Sequence, residues 1–276
     1  MILWGQPKTL FGLCSDCPEV EAHAGRMFSR WALPQKSIRP DYQWSVAKHG
    51  DGYSVHPPEN YRALDPEFEL PQGHYSDIHT ALLNIEFQAV AVLVGRLEAP
   101  LHMHGALLSR DGRGLALIGA KECGKSTLST FLWTRGWELL SDDGFCFESR
   151  LCVRPVPRRV RLRSEGHCLL SEFSPESWPE HDHLEHRPDG TILFQPIFGS
   201  ATVPLSGLIL LTAEEGELEP LDSARATLEF LIHTNSYRLH GINRTLATLS
   251  RLLEDVSCFK LGRASLQQQH ERLLKL

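Results

Sequence analysis

The sequence predicts an α/β protein with a mixed-sheet core and a smaller α+β N-terminal domain, and three observations carry that prediction. From about Leu101 the texture changes to short apolar runs alternating with helical patterns, the habit of a central sheet flanked by helices. Residues 119–126 read GAKECGKS between an apolar strand and a helical pattern, which is G-x-x-x-x-G-K-[ST] in the setting that motif requires. Arg110-Asp111-Gly112-Arg113-Gly114 separates two of the apolar runs; such a turn joins antiparallel neighbours rather than a crossover pair, so the sheet is not purely parallel.

Length and charge bound the rest. The 276 residues suit one large domain or two small ones, and the change of texture divides them into 1–100 and 101–276. With 28 basic against 34 acidic residues the net charge is −6, which excludes a surface uniformly basic enough to coat nucleic acid or an anionic membrane. The longest apolar stretch, near Ala89 to Val94, is far short of the roughly 18 residues a membrane span needs. The N-terminus lacks a basic n-region followed by an apolar h-region, and seven scattered cysteines fit reduced thiols, so the expected location is cytoplasmic.

The elements follow in chain order. Gln43–Ala47 and Tyr53–His56 flank a turn around Gly50, Asp51 and Gly52 and read as a hairpin. A helix is expected from about Ser76 to Arg96, capped by Ser76 or Asp77, because HTALLNIEFQAVAVLVGRL carries apolar residues at helical spacing. Strands are expected at Gly105–Ser109, Leu115–Ile118, Glu138–Ser141, Phe145–Phe147, Thr191–Phe194 and Gly207–Leu211. A helix over Thr127–Arg135 stops at Gly136, a natural residue just past a helix end. The C-terminal part reads as helices at Ser223–Thr234 and Arg244–Glu254, a strand at Cys258–Leu261 and a last helix over Ser265–Leu274.

The chemistry concentrates at the Gly-rich loop. Gly119 and Gly124 permit a tight turn in which the backbone N–H groups of Ala120, Lys121, Glu122, Cys123 and Thr127 can face phosphate oxygens at a helix N-terminus. Lys125 then reaches the outer phosphates and Ser126 ligates Mg²⁺, so the cofactor pair is ATP, or another nucleoside triphosphate, with Mg²⁺. Glu122 stands where many such loops carry a third glycine, with Lys121 beside it to offset the carboxylate. Cys123 lies near the helix N-terminus, where a thiolate is stabilised.

Sixteen residues after Ser126 come Asp142 and Asp143, directly after an apolar strand that can lie beside the loop strand. Alone they would be a solvated turn. Beside a phosphate loop, one can hold Mg²⁺ and the other can accept the proton of an attacking hydroxyl.

The stretch LHMHGALLSRDGRGLALIGAKECGKSTLSTFLWTRGWELLSDDGFCFE, residues 101–148, resembles the HPr kinase/phosphorylase-like P-loop kinases, whose catalytic domain is related to phosphoenolpyruvate carboxykinase. His104-Gly105, the loop and helix, Arg135-Gly136 and the Asp-Asp pair follow in the order and spacing of that family. The resemblance implies a P-loop kinase core and a Mg²⁺-dependent transfer to a serine hydroxyl of a peptide or small protein, with a tendency to form homo-oligomers; no nucleic-acid or membrane partner is expected from the charge and the short apolar runs. It also implies that His104 lies near the transferred phosphate, that Lys125 and Ser126 bind nucleotide and metal, and that one of Asp142 and Asp143 is the base, Asp142 being preferred. HPr-modifying members carry an acidic, Arg-Gly-Leu-Gly segment beyond the aspartates, which is lacking here. The first hundred residues do not resemble their N-terminal domain either. The chain is closer to the small precursor-peptide kinases, including those of lasso peptides. Two alternatives stay open: a nucleotide-binding module that holds a peptide without catalysis, and a kinase of a small-molecule hydroxyl.

Between Arg150 and Arg163 the sequence has six arginines in fourteen positions and no acid. In a strand, Arg159, Arg161 and Arg163 would share one face, with Val160 and Leu162 on the other. The strip is either a clamp for phosphates or an acidic peptide, with Arg158 and Arg159 the better candidates, or a charged edge strand that deters aggregation. His181, His183 and His186 read as a polar loop rather than a metal site, and Cys14 and Cys17 lack a second ligand pair for zinc.

Overall fold

In the first ninety-odd residues a hairpin, β1 (Ile2–Gln6) and β2 (Thr9–Cys14), leads into α1 (Pro18–Met27). Neither strand nor α1 was legible in the turn-rich sequence. The expected hairpin forms as β3 (Tyr42–His49) and β4 (Gly52–His56), followed by β5 (His74–Tyr75) and α2 (Ile78–Arg96). Asp77 is the residue that caps α2, accepting from the Thr80 N–H at 2.9 Å. The five strands form one sheet in sequential order, with β2 and β3 parallel and the other pairs antiparallel. Alternate residues Phe11, Leu13, Trp44, Val46, Tyr53 and Val55 point to one face, where they meet Val20 and Ala24 of α1 and Leu82, Ile85 and Ala89 of α2.

The second part opens with β6 (His102–Met103), β7 (Gly105–Arg110) and β8 (Arg113–Gly119). Asp111 at φ 52° and Gly112 at φ 73° make the primed two-residue turn that matches strand twist, so β7 and β8 pair antiparallel. Then come α3 (Lys125–Thr134), β9 (Glu138–Ser141), β10 (Phe145–Phe147), β11 (Cys152–Pro155), β12 (Val160–Leu162), α4 (Ser164–Ser171), β13 (His181–His186) and β14 (Ile192–Pro196). The chain ends with β15 (Val203–Glu215), β16 (Leu218–Pro220), α5 (Ser223–Leu231), α6 (Ser236–His240), α7 (Ile242–Leu253), β17 (Ser257–Arg263) and α8 (Leu266–Leu273). Gly136 follows α3 at φ 88°, as its place past the helix end requires. None of the seven cysteines is in a disulfide.

Strand β8 is central to a mixed sheet. It runs parallel to β15, which runs parallel to β17, while β7 lies antiparallel on its other side and β9 pairs with β7. The strand before the aspartates is therefore one place removed from the loop strand, because the β7–β8 hairpin occupies the adjacent position. Successive residues feed opposite faces: Leu107, Ala116, Ile118, Leu208 and Leu210 pack against α5 and α7, whereas Ala106, Leu108, Leu117, Ile209 and Leu211 pack against α3 and Leu273 of α8. A second, antiparallel sheet of order β12-β14-β13 leans on α3, where Trp133 stacks on Phe194 with centroids 5.4 Å apart.

The computed structural model describes residues 1–6, 9–28, 39–61, 73–96, 101–147, 151–156, 158–171, 178, 181–187, 189–196, 202–234 and 236–276. The molecule is a mixed α/β protein in two compact units, Met1–Leu97 and Glu98–Leu276. Two expectations are corrected. The His181–His186 segment is a strand paired to β14 rather than a polar loop. Helix α5 ends at Leu231, because Thr234 forms a bridge with Met103 and its hydroxyl donates to the His102 carbonyl at 2.6 Å. Among the described residues no helix is long and apolar enough to cross a membrane.

Candidate functional site

Where β8 ends and α3 begins, a cavity of about 810 Å³ opens between the Gly-rich loop, the Asp142–Asp143 turn and β12. Gly124 at φ 96° sets the backbone for the first turn of α3. Glu122, at φ 70°, occupies a left-handed conformation that costs any side chain and suits glycine. That explains why a glycine is common there. The carboxylate of Glu122 is held by Arg163, 2.6 Å away. The Arg163 contact lowers its pKa most, and Lys121 contributes least among the causes. The expected offset by Lys121 is thus corrected: Arg163 reaches the loop from the far end of β12.

Lys125 is buried, and its ammonium donates to the Gly119 and Ala120 carbonyls at 2.8 and 2.9 Å. Two of its three N–H groups are so engaged, which fixes the charge inside the curl of the loop. Gly119, Ala120, Lys121, Glu122, Gly124, Ser126 and Thr127 also line the cavity. Cys123 does not; its N–H donates to Ala120 and its side chain packs toward the apolar cluster under the sheet.

The two aspartates have different surroundings. Asp142 is 6% exposed, accepts from the Ser129 hydroxyl at 3.0 Å and is also bonded by Ser126 and by the Arg161 backbone N–H. Burial pushes its pKa up, against the pull of those bonds and of Lys125. Asp143 is partly exposed to the cavity. One of its oxygens is ion-paired with Arg158, the other lies 3.2 Å from His104 Nδ1, and that same nitrogen is 2.9 Å from the Asp143 carbonyl. The turn is clamped from below by Ser141, whose hydroxyl lies 2.6 Å from the Gly144 carbonyl and 2.7 Å from that of Val156.

Three histidines surround the charges. Burial pushes His104 down to about 4, with further lowering by Lys125 and Arg158. Nearly half of its side-chain surface is accessible, within the cavity that Lys125 and Arg158 also line. His233, which lines the cavity and accepts the His104 backbone N–H at 2.8 Å, and His102 beside it are also pushed down to about 4, chiefly by burial. All three are neutral at pH 7.

The arginine strip lies both at a sheet edge and along the cavity. β12 is an edge strand whose Val160 and Leu162 are buried in the core, and Arg158, Arg159, Arg161 and Arg163 line the cavity. The Arg159 side chain is 8% exposed; Nη1 donates to Glu185 at 3.3 Å, while Nε and Nη2 are buried with no hydrogen-bond partner among the described residues. A buried charged donor left unsatisfied costs about 1–3 kcal/mol or more.

The oxygen donors Ser126 and Asp142 suit a hard cation. Mg²⁺ is ordinarily held by one or two carboxylates with phosphates and waters, and among the described residues no cluster of three or more His, Cys, Asp and Glu could hold a metal instead. His186 therefore belongs to no such cluster, and the side chains of His181 and His183 lie outside what is described.

Sequence reasoning missed Ser129, His102 and His233. Ser129 lies three residues after Ser126, on one helix face with it, so helical spacing could have found it. The histidines arrive by long-range packing that leaves no local signal. No protein-family model matches the chain, and no curated protein matches it significantly.

Proposed function

We propose that the chain is an ATP- and Mg²⁺-dependent kinase that transfers the γ-phosphoryl group to a serine hydroxyl of a peptide or small protein. The observation that carries the reading is the pair of aspartates in unlike settings beside a phosphate-loop lysine: one buried with hydroxyls, one facing the cavity. This supports Asp142, with Ser126, as the metal-side carboxylate and Asp143 as the base, reversing the preference drawn from sequence. Bound Mg²⁺ would neutralise phosphate oxygens. The loop N–H groups and Lys125 hold the donor phosphates. Asp143 takes the proton of the serine hydroxyl as its oxygen bonds to phosphorus, and the bond from phosphorus to the bridging β-phosphate oxygen breaks to release ADP. Neutral His104 and Arg158 orient the Asp143 carboxylate, and Arg158 balances charge as transfer proceeds.

The order of strand, loop, helix and aspartate pair is the further support for a P-loop kinase core like that of the HPr kinase/phosphorylase-like family. Incubation with γ-labelled ATP, Mg²⁺ and the peptide encoded by a neighbouring gene tests the reading. Label on a peptide serine, lost in Asp143→Asn, is the expected result; nucleotide binding without label would overturn it. The reading as a non-catalytic module draws on one observation, that the Asp143 carboxylate is already engaged by Arg158, and this assay separates the two.

A further inference from the structure

We propose that the cavity has a second oxyanion position, at Arg159, and that it receives a carboxylate of the acceptor, so that the peptide phosphorylated is acidic around its serine. The identity of the anion as part of an acceptor rests on the kinase reading; the existence of the position does not.

Arg159 is held from one side only. Glu185 takes Nη1 at 3.3 Å, and the Nε and Nη2 groups on the opposite edge of the guanidinium have no hydrogen-bond partner among the described residues. Those two N–H groups lie side by side, the fork that matches the two oxygens of a carboxylate or phosphate. The side chain is nine-tenths buried and forms part of the cavity wall. Shielding from water strengthens a charge-assisted bond made there and penalises its absence.

The acids of the cavity lining leave that fork open. Glu122 pairs with Arg163, Asp143 with Arg158, and Asp142 is bonded by Ser126 and Ser129, while Glu165, the remaining acid of the cavity lining, makes no hydrogen bond to Arg159 Nε or Nη2. Location favours the acceptor over the nucleotide. Arg158 contacts Asp143 and the Arg161 backbone N–H contacts Asp142, which puts the start of β12 against the aspartate turn. The loop phosphates have their own donors in the loop N–H groups and Lys125. Arg161, exposed on the cavity side of β12, offers a second guanidinium to the same acidic segment.

The test uses fluorescein-labelled Gly-Glu-Glu-Ser-Glu-Glu-Gly and its Gln counterpart, titrated by anisotropy into the full chain with Mg²⁺ and a non-hydrolysable ATP analogue. Affinity for the analogue is measured separately by calorimetry. The Glu peptide should bind about tenfold or more tightly than the Gln peptide. The preference should collapse in Arg159→Gln and fall sharply in Arg159→Lys, which keeps the charge and removes the fork, while affinity for the analogue holds. Circular dichroism checks that both variants are folded. Equal binding of the two peptides to the wild type would overturn the proposal. So would a loss of analogue affinity in Arg159→Lys with the peptide preference intact, since the fork would then serve the nucleotide. An Arg159-dependent preference without any analogue binding would leave the oxyanion position standing and remove the kinase reading.

Discussion

Buried polar groups gather in both units, and the two gatherings are built differently. In the N-terminal unit, Trp44 Nε1 donates to Gln88 Oε1 at 2.6 Å, Gln88 Nε2 to Asn84 Oδ1 at 2.7 Å, and Asn84 Nδ2 to the Tyr75 hydroxyl at 2.5 Å. Each link joins a donor to an acceptor, and no member is charged. In the C-terminal unit the cavity collects lysine, arginine and aspartate side chains, burial pushes Asp142 up and His104 down, and Arg159 retains two buried N–H groups without acceptors among the described residues. A neutral chain of side chains bonded to one another fixes α2 on its sheet. A desolvated set of charges with donors to spare is what the proposed binding of an anionic ligand would complete.

That contrast breaks most easily at Asp143. Asp143→Asn should cut phosphoryl transfer by about 10²–10⁴-fold, the usual contribution of a positioned base, with the affinity for Mg²⁺-nucleotide retained. Asp142→Asn should instead weaken the dependence on Mg²⁺. If Asp143→Asn transfers normally and Asp142→Asn does not, the roles are exchanged. Rapid-quench transfer and nucleotide calorimetry on the two variants decide.

The complementary change in the other unit is Gln88→Leu. It strands the Trp44 N–H and the Asn84 carbonyl in a dry core, so the loss of stability should be about 1–3 kcal/mol for each buried group left unsatisfied, read by urea unfolding. Nucleotide affinity should not move. A drop in affinity would mean that the polar chain is part of the site, and the distinction between the two gatherings would fail.

Acid separates them further. His102, His104 and His233 titrate at about 4 in the fold against 6.5 in the unfolded chain, so between those values the unfolded state binds more protons. Their contribution to stability is complete above pH 6.5 and is lost as the pH falls toward about 4. Asp142 acts with the opposite sign, because its raised pKa means the fold binds the extra proton. Asp142→Asn should therefore lose more stability on acidification than the wild type, not less. The imidazole resonances of the three histidines should keep their neutral shifts from pH 7 down to about 5, and a ring that titrates near 6.5 would contradict the burial argument.

How much of this was legible in the sequence follows from the range of the interactions. The β7–β8 hairpin, the loop, α3 with Gly136 behind it and the aspartate turn are written in neighbouring residues, through turn chemistry and apolar spacing. The position of β9 was not, since a hairpin can be inserted between two strands without changing either one's pattern. β1, β2 and α1 escaped because their residues look turn-rich until the sheet that buries Phe11 and Leu13 exists. His233 and Glu185 reach the cavity region from remote segments, and no spacing rule connects them to Lys125. Glu122 was visible as an anomaly, but its partner was assigned to the adjacent lysine, when the chain folds Arg163 onto it from 41 positions away.

Glu122 gives the finest test. Its φ of 70° is a conformation glycine adopts without strain, and its carboxylate belongs to the lining of a cavity that also carries Lys121, Lys125 and four arginines. Glu122→Gly removes the strain, removes a negative charge near the phosphate position and releases Arg163 from its 2.6 Å contact. All three changes act in one direction, but the pair is exposed and screened, so the gain in Mg²⁺-nucleotide affinity should be only about two- to fivefold and should shrink as salt is raised from 50 to 300 mM. If calorimetry finds weaker binding instead, the Glu122–Arg163 contact is holding the loop in its binding shape rather than guarding it. That contact would then belong with the bonded polar chain of α2, as architecture.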